Sequence, residues 1–183
     1  MAFFMNDHRM NSLERALSQT TNFQYIHERL LSSGQPTVEQ LKLIKAYGIN
    51  TVINLALSDA SNALEHEDKI CLELGLNYIH LPIDWELPDS EQALFVLDTL
   101  NFLLKQQSIW IHCSKNYRVS ALMYLYRQYY MNVDIEQAQQ SMHQIWEPND
   151  TWTGLIHNVA LQLQGRKATL ELQQALMGTK AFS

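Results

Sequence analysis

Short apolar runs alternate with helical patterns along most of the chain, and this alternation constrains the fold more than any other feature of the sequence. The β-branched run NTVINLAL follows the helical pattern PTVEQLKLIKAYG, which begins at Pro36 and ends at Gly48. LNYIHLP and SIWIHC are further strand-like runs, and ERLLSSG predicts an earlier short strand. Strands that alternate with helices form mostly parallel sheets through right-handed crossovers. The sequence therefore predicts an α/β fold, a single domain with a mostly parallel central sheet flanked by helices.

Helical patterns fill much of the remaining sequence. Ser61 to Leu74 predicts a helix closed by Gly75, and Pro88 to Gln107 predicts a longer one. From Arg118 onward the pattern is helical to the end of the chain.

The patterning weakens near both ends of the sequence. We therefore expect a domain over residues 21–164, an N-terminal extension over 1–20 and a helical C-terminal extension over 165–183. The C-terminal extension contains apolar positions that suit docking on the chain's own core or on a second copy, as a homodimer: Leu170, Leu172, Leu176 and Met177.

Composition and charge narrow the class of partner. A chain of 183 residues with 46% hydrophobic content suffices for one sizeable core. The net charge of -6 would repel nucleic acid and anionic lipid. The short apolar start is interrupted at Asn6, too early for a secretion signal, and no later run approaches the length of a membrane span. We expect a cytoplasmic protein without nucleic-acid or membrane partners, which holds any anionic substrate in a local site.

The two cysteines, Cys71 and Cys113, provide neither a disulfide framework nor a CxxC metal pair. Cys71 lies among apolar positions of the helical pattern EDKICLELGL, so we interpret it as an inert core residue. His80 has no metal-ligating partner at helical spacing. We therefore expect no metal and no cofactor.

The segment HCSKNYR, residues 112–118, is the strongest candidate for a functional site. Ligands of α/β sheets bind beyond the carboxyl ends of the strands, and SIWIHC would bring Cys113 to that edge. The N-terminus of the following helix attracts anions and favours a thiolate. Arg118 provides a guanidinium that can hold two phosphate oxygens. The pattern predicts a nucleophile facing an anion site.

This segment resembles the His-Cys-loop-Arg signature of cysteine-dependent protein phosphatases, particularly the small dual-specificity type. The stretch SSGQPTVEQLKLIKAYGINTVINL is similar to one found in a bacterial phosphatase-like group of unassigned substrate. The resemblance covers Tyr25 to about Leu163 and implies hydrolysis of phosphomonoesters through a phosphocysteine. It implies that Cys113 attacks phosphorus and that Arg118 clamps the equatorial oxygens. The phosphate-binding loop would be lined by the backbone of Ser114, Lys115, Asn116, Tyr117 and Arg118.

The resemblance also implies an acid and two supporting residues. In the family an aspartate after the preceding strand protonates the leaving group, and IHLPIDWELPD offers Asp84, with Asp89 and Glu86 as reserves. The alternative is that Asp84 only caps or hydrates a loop, and Asp89 is equally natural as a helix N-cap. His112 would orient the loop by hydrogen bonding. In the family a hydroxyl residue directly after the arginine helps the cysteine leave. Val119 occupies that position in this chain, and Ser120 follows it.

The loop departs from the family pattern in length. Four residues separate Cys113 from Arg118, where the family has five, and Asn116 stands where a glycine is usual. Asn tolerates a left-handed backbone, so it can replace that glycine. Loss of one donor from such a site costs a factor of roughly 10²–10³ in rate, so weak activity is expected.

Two other functions remain open at this stage. Rhodanese-like sulfurtransferases or persulfide carriers commonly have a four-residue loop after their cysteine. A non-catalytic phosphate-binding module would bind the anion without attack by the thiolate. The expected partner of the favoured function is a phosphorylated small molecule or a phosphoprotein.

Overall fold

The computed structural model describes residues 11–180, with side chains to residue 177. The described residues form a five-stranded sheet in the order β1-β2-β5-β3-β4. β1 is antiparallel to β2, and all other neighbours are parallel. The predicted α/β class with a mostly parallel sheet is therefore confirmed. The strands are β1 Gln24–His27, β2 Leu30–Ser33, β3 Thr51–Asn54, β4 Asn77–His80 and β5 Ile109–His112.

Seven helices lie before, between and after these strands within the described part of the chain. They are α1 Ser12–Leu17, α2 Val38–Tyr47, α3 Glu67–Glu73, α4 Ser90–Leu103, α5 Tyr117–Tyr129, α6 Ile135–His143 and α7 Asp150–Lys180.

The chain divides into two compact units. Of the described residues, the first unit combines 11–82 with Phe102–Val119 and contains the sheet together with α1, α2 and α3. The second combines Ile83–Asn101 with 120–180 and contains α6, α7 and most of α4 and α5.

In the first unit, a buried apolar cluster packs α1, α2 and α3 against one face of the sheet. Leu17, Ile44, Cys71 and Trp110 meet in this cluster and are inaccessible to solvent. Burial raises the pKa of the Cys71 thiol to about 12, with help from the charges of nearby carboxylates. The interpretation of Cys71 as an inert core residue is confirmed by its position.

β5 is the central strand of the sheet, between β2 and β3, as its apolar sequence predicts. Its residues Trp110 and Ile111 are fully buried. A parallel strand covered on both faces requires a continuous apolar run, which SIWI provides.

Several elements differ from the sequence prediction. The helix predicted from Ser61 begins only at Glu67, after the left-handed residue His66 with a φ of 57°. The helix predicted from Pro88 begins at Ser90, because Asp89 caps it by accepting a hydrogen bond from the Gln92 N–H. Strand β1 was not predicted. The prediction of a continuous helix from Arg118 onward was also wrong, since breaks separate α5, α6 and α7.

In the second unit, α7 continues through the predicted boundary at residue 165. The apolar residues of its C-terminal part are each more than half exposed, so they do not dock on the chain's own core: Leu170, Leu172, Leu176 and Met177. Packing of this helix on a second copy stays a prediction, which sedimentation of the full chain would test. Residues 1–10 and 181–183 of the two predicted extensions lie outside the described residues.

None of the helices described here is long and apolar enough to cross a membrane.

Candidate active site

Cys113 directly follows the central strand, at the carboxyl edge of the sheet. The flanking strands fix its backbone, since the Cys113 N–H donates to the Ser33 carbonyl at 3.4 Å and the His112 carbonyl accepts from the Leu55 N–H at 2.9 Å. Cys113 is a free cysteine and is fully buried as a residue. The position is therefore the one that the sequence predicts.

The loop after Cys113 is anchored by its carbonyl groups. The Ser114 carbonyl accepts hydrogen bonds from the Gln35 N–H at 3.1 Å and from Asn62 Nδ2 at 2.8 Å. The Lys115 carbonyl accepts from Asn22 Nδ2 at 2.8 Å. Across a trans peptide bond the next N–H points the opposite way, so the Lys115 N–H is directed away from Gln35 and Asn62. Because the neighbouring carbonyl groups are anchored in this way, the Lys115 N–H can donate a hydrogen bond to another acceptor.

A second bond ties the loop to Asn62, because the Ser114 hydroxyl donates to Asn62 Oδ1 at 2.5 Å. Asn62 lies in the turn region that the sequence predicts to be helical. Its amide makes two bonds to one residue of the loop, which explains why this stretch does not join α3.

Asn116 adopts a left-handed backbone with a φ of 65°, as predicted for the residue that replaces the usual glycine. Its side chain is buried and donates from Nδ2 to the Asn22 carbonyl at 2.6 Å and to Ser32 Oγ at 3.2 Å. The asparagine therefore provides both the bend and the anchor of the shortened loop.

Gly34 allows the end of β2 to approach the loop closely. It forms an isolated antiparallel bridge with Lys115. A Cβ at this position would lie 2.9 Å from the Ser114 carbonyl oxygen and 3.0 Å from Thr21 Cβ. Any side chain here would push against backbone that holds the cysteine loop.

Helix α5 begins at Tyr117, four residues after the cysteine. The first N–H groups of a helix lack acceptors within it and carry a partial positive charge. Arg118 lies in this first turn and is 8% exposed, whereas Lys115 is exposed and Tyr117 is half-buried. The loop thus leads into a helix start that can attract an anion, with a guanidinium in its first turn.

A buried carboxylate contacts the histidine that precedes Cys113. His112 Nε2 lies 3.0 Å from Glu67 Oε1, and the two side chains are 0% and 4% exposed. Burial would raise the pKa of Glu67, but its interactions with His112, Gln35 and Tyr78 outweigh burial and lower that pKa. The sequence interpretation did not identify Glu67.

Asp84, the predicted acid, lies in the second unit, in the loop after β4. It is exposed, and its Oδ1 accepts hydrogen bonds from the Glu86 and Leu87 N–H groups at 2.8 and 2.9 Å. These bonds cap a turn, which is the alternative role that the sequence offered for Asp84. Asp89 has the N-cap role predicted for it.

Three tryptophans hold the segment that follows Asp84. Trp85 stacks on Trp152 at 5.4 Å and tilts against Trp146 at 5.4 Å. The Trp85 carbonyl accepts a hydrogen bond from Trp152 Nε1 at 3.1 Å. Trp146 Nε1 in turn donates to Ser120 Oγ at 3.0 Å. Ser120 is buried and its hydroxyl oxygen is thus engaged as an acceptor.

Sequence reasoning missed Asn22, Gln35 and Asn62, which bond to carbonyls of the loop. It also missed Glu67, which contacts His112. The two asparagines occur in polar, turn-forming stretches, which is a signal for a turn and none for a binding partner. Among the residues that the structure describes, no group of three or more His, Cys, Asp or Glu side chains is placed to hold a metal ion.

Comparison with known proteins gives a consistent result. A family model described as "DSP-PTPase phosphatase fused to NAD+ Kinase" matches residues 4–154. The fold is similar to that of a DUF442 protein from Shewanella putrefaciens CN-32 for which a phosphatase function is proposed. The two are 28% identical with a TM-score of 0.72, over 81% of this chain and 97% of that one. A comparison with curated proteins found no match.

More distant structures share the fold. TpbA of P. aeruginosa is 18% identical with a TM-score of 0.64, over 79% of this chain and 91% of that one. PTPMT1, solved in complex with PI(5)P, is 14% identical with a TM-score of 0.65, over 79% of this chain and 98% of that one. A variant of TpbA was solved in complex with phosphotyrosine. The resemblance to cysteine-dependent phosphatases is therefore confirmed.

Proposed function

Because the chain belongs to the family of DSP-PTPase phosphatases described as fused to NAD+ kinase, we propose that it hydrolyses phosphomonoesters through Cys113. The observation that carries this proposal is the position of Cys113 between the central strand and the start of α5. The loop between them is held by its carbonyl groups. The helix that follows begins with Arg118 in its first turn, and both the helix N-terminus and the guanidinium favour binding of an anion.

The reaction has two steps. The Cys113 thiolate attacks phosphorus, the bond from phosphorus to the ester oxygen breaks, and Asp84 gives its proton to that oxygen. A water molecule then attacks the phosphocysteine, Asp84 takes a proton from the water, and the bond from phosphorus to sulfur breaks. The products are inorganic phosphate and the regenerated thiolate. Arg118 and the loop amides of Ser114 to Arg118 hold the phosphoryl oxygens throughout.

The neighbouring residues have supporting roles in this proposal. His112 orients the loop, and the Ser120 hydroxyl assists departure of the thiolate in the second step. Asp84 exposes its carboxylate on a segment anchored by Trp85, which suits an acid that must reach a substrate oxygen.

The substrate is a phosphorylated small molecule or a phosphoprotein. Phosphotyrosine and the phosphoinositide PI(5)P bound to proteins of the same fold support this range.

The test is turnover of a panel of phosphoesters, run beside a thiosulfate-to-cyanide assay on the same preparations. We expect slow hydrolysis that chelators leave unchanged and that Cys113→Ser abolishes, because a serine hydroxyl is a far poorer nucleophile than a thiolate. Cys113-dependent sulfur transfer without phosphoester hydrolysis would replace the proposal by a sulfurtransferase. Inactivity in both assays with retained phosphate binding would replace it by a binding module.

A further inference from the structure

A cluster of five polar side chains lies in the first unit, with Glu67 at its centre. Glu67, Asn54 and His112 are buried, and Gln35 and Tyr78 are half-buried. Glu67 Oε2 accepts hydrogen bonds from Asn54 Nδ2 at 3.0 Å and from the Tyr78 hydroxyl at 3.2 Å. Glu67 Oε1 accepts from Gln35 Nε2 at 2.9 Å and lies 3.0 Å from His112 Nε2. Polar side chains from four different segments therefore converge on one carboxylate.

Core stability alone gives no reason for such a cluster. A carboxylate that is 4% exposed loses most of its hydration, and well-packed apolar side chains often replace buried ion pairs without loss of stability. Buried polar groups that contact one another in a low-dielectric interior favour one arrangement of the side chains around them. The cluster is therefore better explained by the arrangement that it imposes.

The two oxygens of Glu67 face different parts of the fold. Oε2 binds side chains of β3 and β4, which anchor the carboxylate to the sheet. Both partners of Oε1 reach the cysteine loop. His112 directly precedes Cys113, and the backbone N–H of Gln35 donates to the carbonyl of Ser114, which directly follows it. One oxygen thus contacts residues that hold the chain on both sides of the nucleophile.

We propose that Glu67 is a positioning residue for the nucleophile, which ties His112 and Gln35 to the sheet and so sets the shape of the Cys113 loop. This inference rests on the proposed function, since that loop shape is what receives the phosphoryl group. Glu67 itself is not proposed to touch substrate. Its effect passes through His112 on one side of Cys113 and through Gln35 on the other.

The first experiment compares Glu67→Gln with Glu14→Gln. Glu14 is a matched control, because it is also a buried carboxylate in the first unit, 2% exposed, and it accepts a hydrogen bond from the Tyr47 hydroxyl at 2.7 Å. The amide of a glutamine at position 67 would place its own N–H groups next to side chains that donate hydrogen bonds to Glu67, so some of these bonds would be lost. We expect kcat to fall by about 10²-fold, since a shift of about 1 Å in a reacting group has that effect. We expect Glu14→Gln to keep kcat within about twofold.

A second pair of variants separates the two oxygens of Glu67 and applies even if Glu67→Gln does not fold. Gln35→Ala removes a partner of Oε1, and Tyr78→Phe removes a partner of Oε2. We expect Gln35→Ala to lower kcat about tenfold and Tyr78→Phe to leave it nearly unchanged, whatever each does to stability. Equal losses from both variants, or loss from neither, would overturn the proposal.

A readout without turnover distinguishes failure of this inference from failure of the proposed function. The rate of Cys113 alkylation by iodoacetamide, located by mass spectrometry, is measured in each variant with and without inorganic phosphate. We expect Glu67→Gln and Gln35→Ala to change this rate and to weaken protection by phosphate, while Glu14→Gln and Tyr78→Phe match the wild type. If all variants match the wild type, Glu67 does not position the loop, whether or not any phosphoester is hydrolysed.

Discussion

At the scale of single residues, Asn116 gives the cysteine loop its left-handed backbone position. A left-handed backbone costs an ordinary side chain about 1–2 kcal/mol, and the buried amide adds bonds to the Asn22 carbonyl and Ser32. We expect both Asn116→Ala and Asn116→Gly to lower the free energy of unfolding. The alanine variant should be less stable than the glycine variant by about 1 kcal/mol, because glycine adopts the same φ without strain. Urea unfolding measures the difference. If the glycine variant were the less stable, the φ would not be the cause.

Asp84 is the residue whose role most needs a test by chemistry. A general acid contributes about 10²–10⁴-fold to cleavage of a poor leaving group and little to that of an activated one. We expect Asp84→Asn to slow hydrolysis of alkyl phosphates by that range and of p-nitrophenyl phosphate by about tenfold or less. Steady-state rates on both substrates measure the contrast. Asp89→Asn is the control, since Asp89 caps α4, and equal slowing of both substrates by Asp84→Asn would argue against an acid.

At the scale of elements, the contact between the end of β2 and the cysteine loop depends on Gly34. A Cβ there meets the Ser114 carbonyl oxygen at 2.9 Å, and overpacking of this kind costs about 1–3 kcal/mol. We expect Gly34→Ala to lose that stability and to weaken phosphate binding, as measured by urea unfolding and calorimetry.

Gly154→Ala is the matched control for that change. Gly154 lies within α7, and an added Cβ meets nothing within 4 Å. The helix should gain up to about 1 kcal/mol from alanine, with phosphate binding unchanged. A Gly34→Ala protein that binds phosphate like the wild type would show that this close approach does not shape the loop.

The elements around Cys113 could be predicted from sequence because their signals are local. SIWI is a continuous apolar run, HCSKNYR follows it directly, and a helical pattern comes next. Strand β1 has no such signal, since QYIH mixes polar and apolar residues and is held by antiparallel pairing with β2. The helix predicted from Ser61 failed because Asn62 binds Ser114, a contact between residues 52 positions apart.

The same limit applies to the candidate site. Cys113, Arg118 and Asn116 belong to one short segment, so their grouping is visible in the sequence. Asn22 binds a loop carbonyl 93 positions away, and Glu67 meets His112 only once β5 and α3 are in place. Polar residues of this kind read as turn or surface residues until the fold brings their partners to them.

At the scale of the whole molecule, Glu67 links the pH dependence of stability to the site. Its pKa is lowered from the ordinary value of 4.5, so its contribution to folding is complete above that pH and is lost as the pH falls through the lowered pKa. The titratable groups that face it are His112 and Tyr78, with Cys71 and Asp68 on its own helix. Tyr78 and Cys71 stay protonated in acid because their pKa values are raised.

We therefore expect the stability difference between wild type and Glu67→Gln to be largest near pH 5 and to shrink toward pH 3. Urea unfolding at several pH values measures it, and the other carboxylates cancel in the comparison. A difference that stays constant over this range would mean that folding does not change the pKa of Glu67, and one that grows toward pH 3 would mean that folding raises it.

The covalent intermediate tests the central claim most directly. Wild type and Asp84→Asn are mixed with p-nitrophenyl phosphate, quenched in acid within the first turnovers and analysed by peptide mass spectrometry. The account predicts a phosphoryl group on Cys113 in both proteins and none at that position in Cys113→Ala, which should also be inactive. Hydrolysis that persists in Cys113→Ala, or a phosphoryl group on another residue of an active protein, would contradict it.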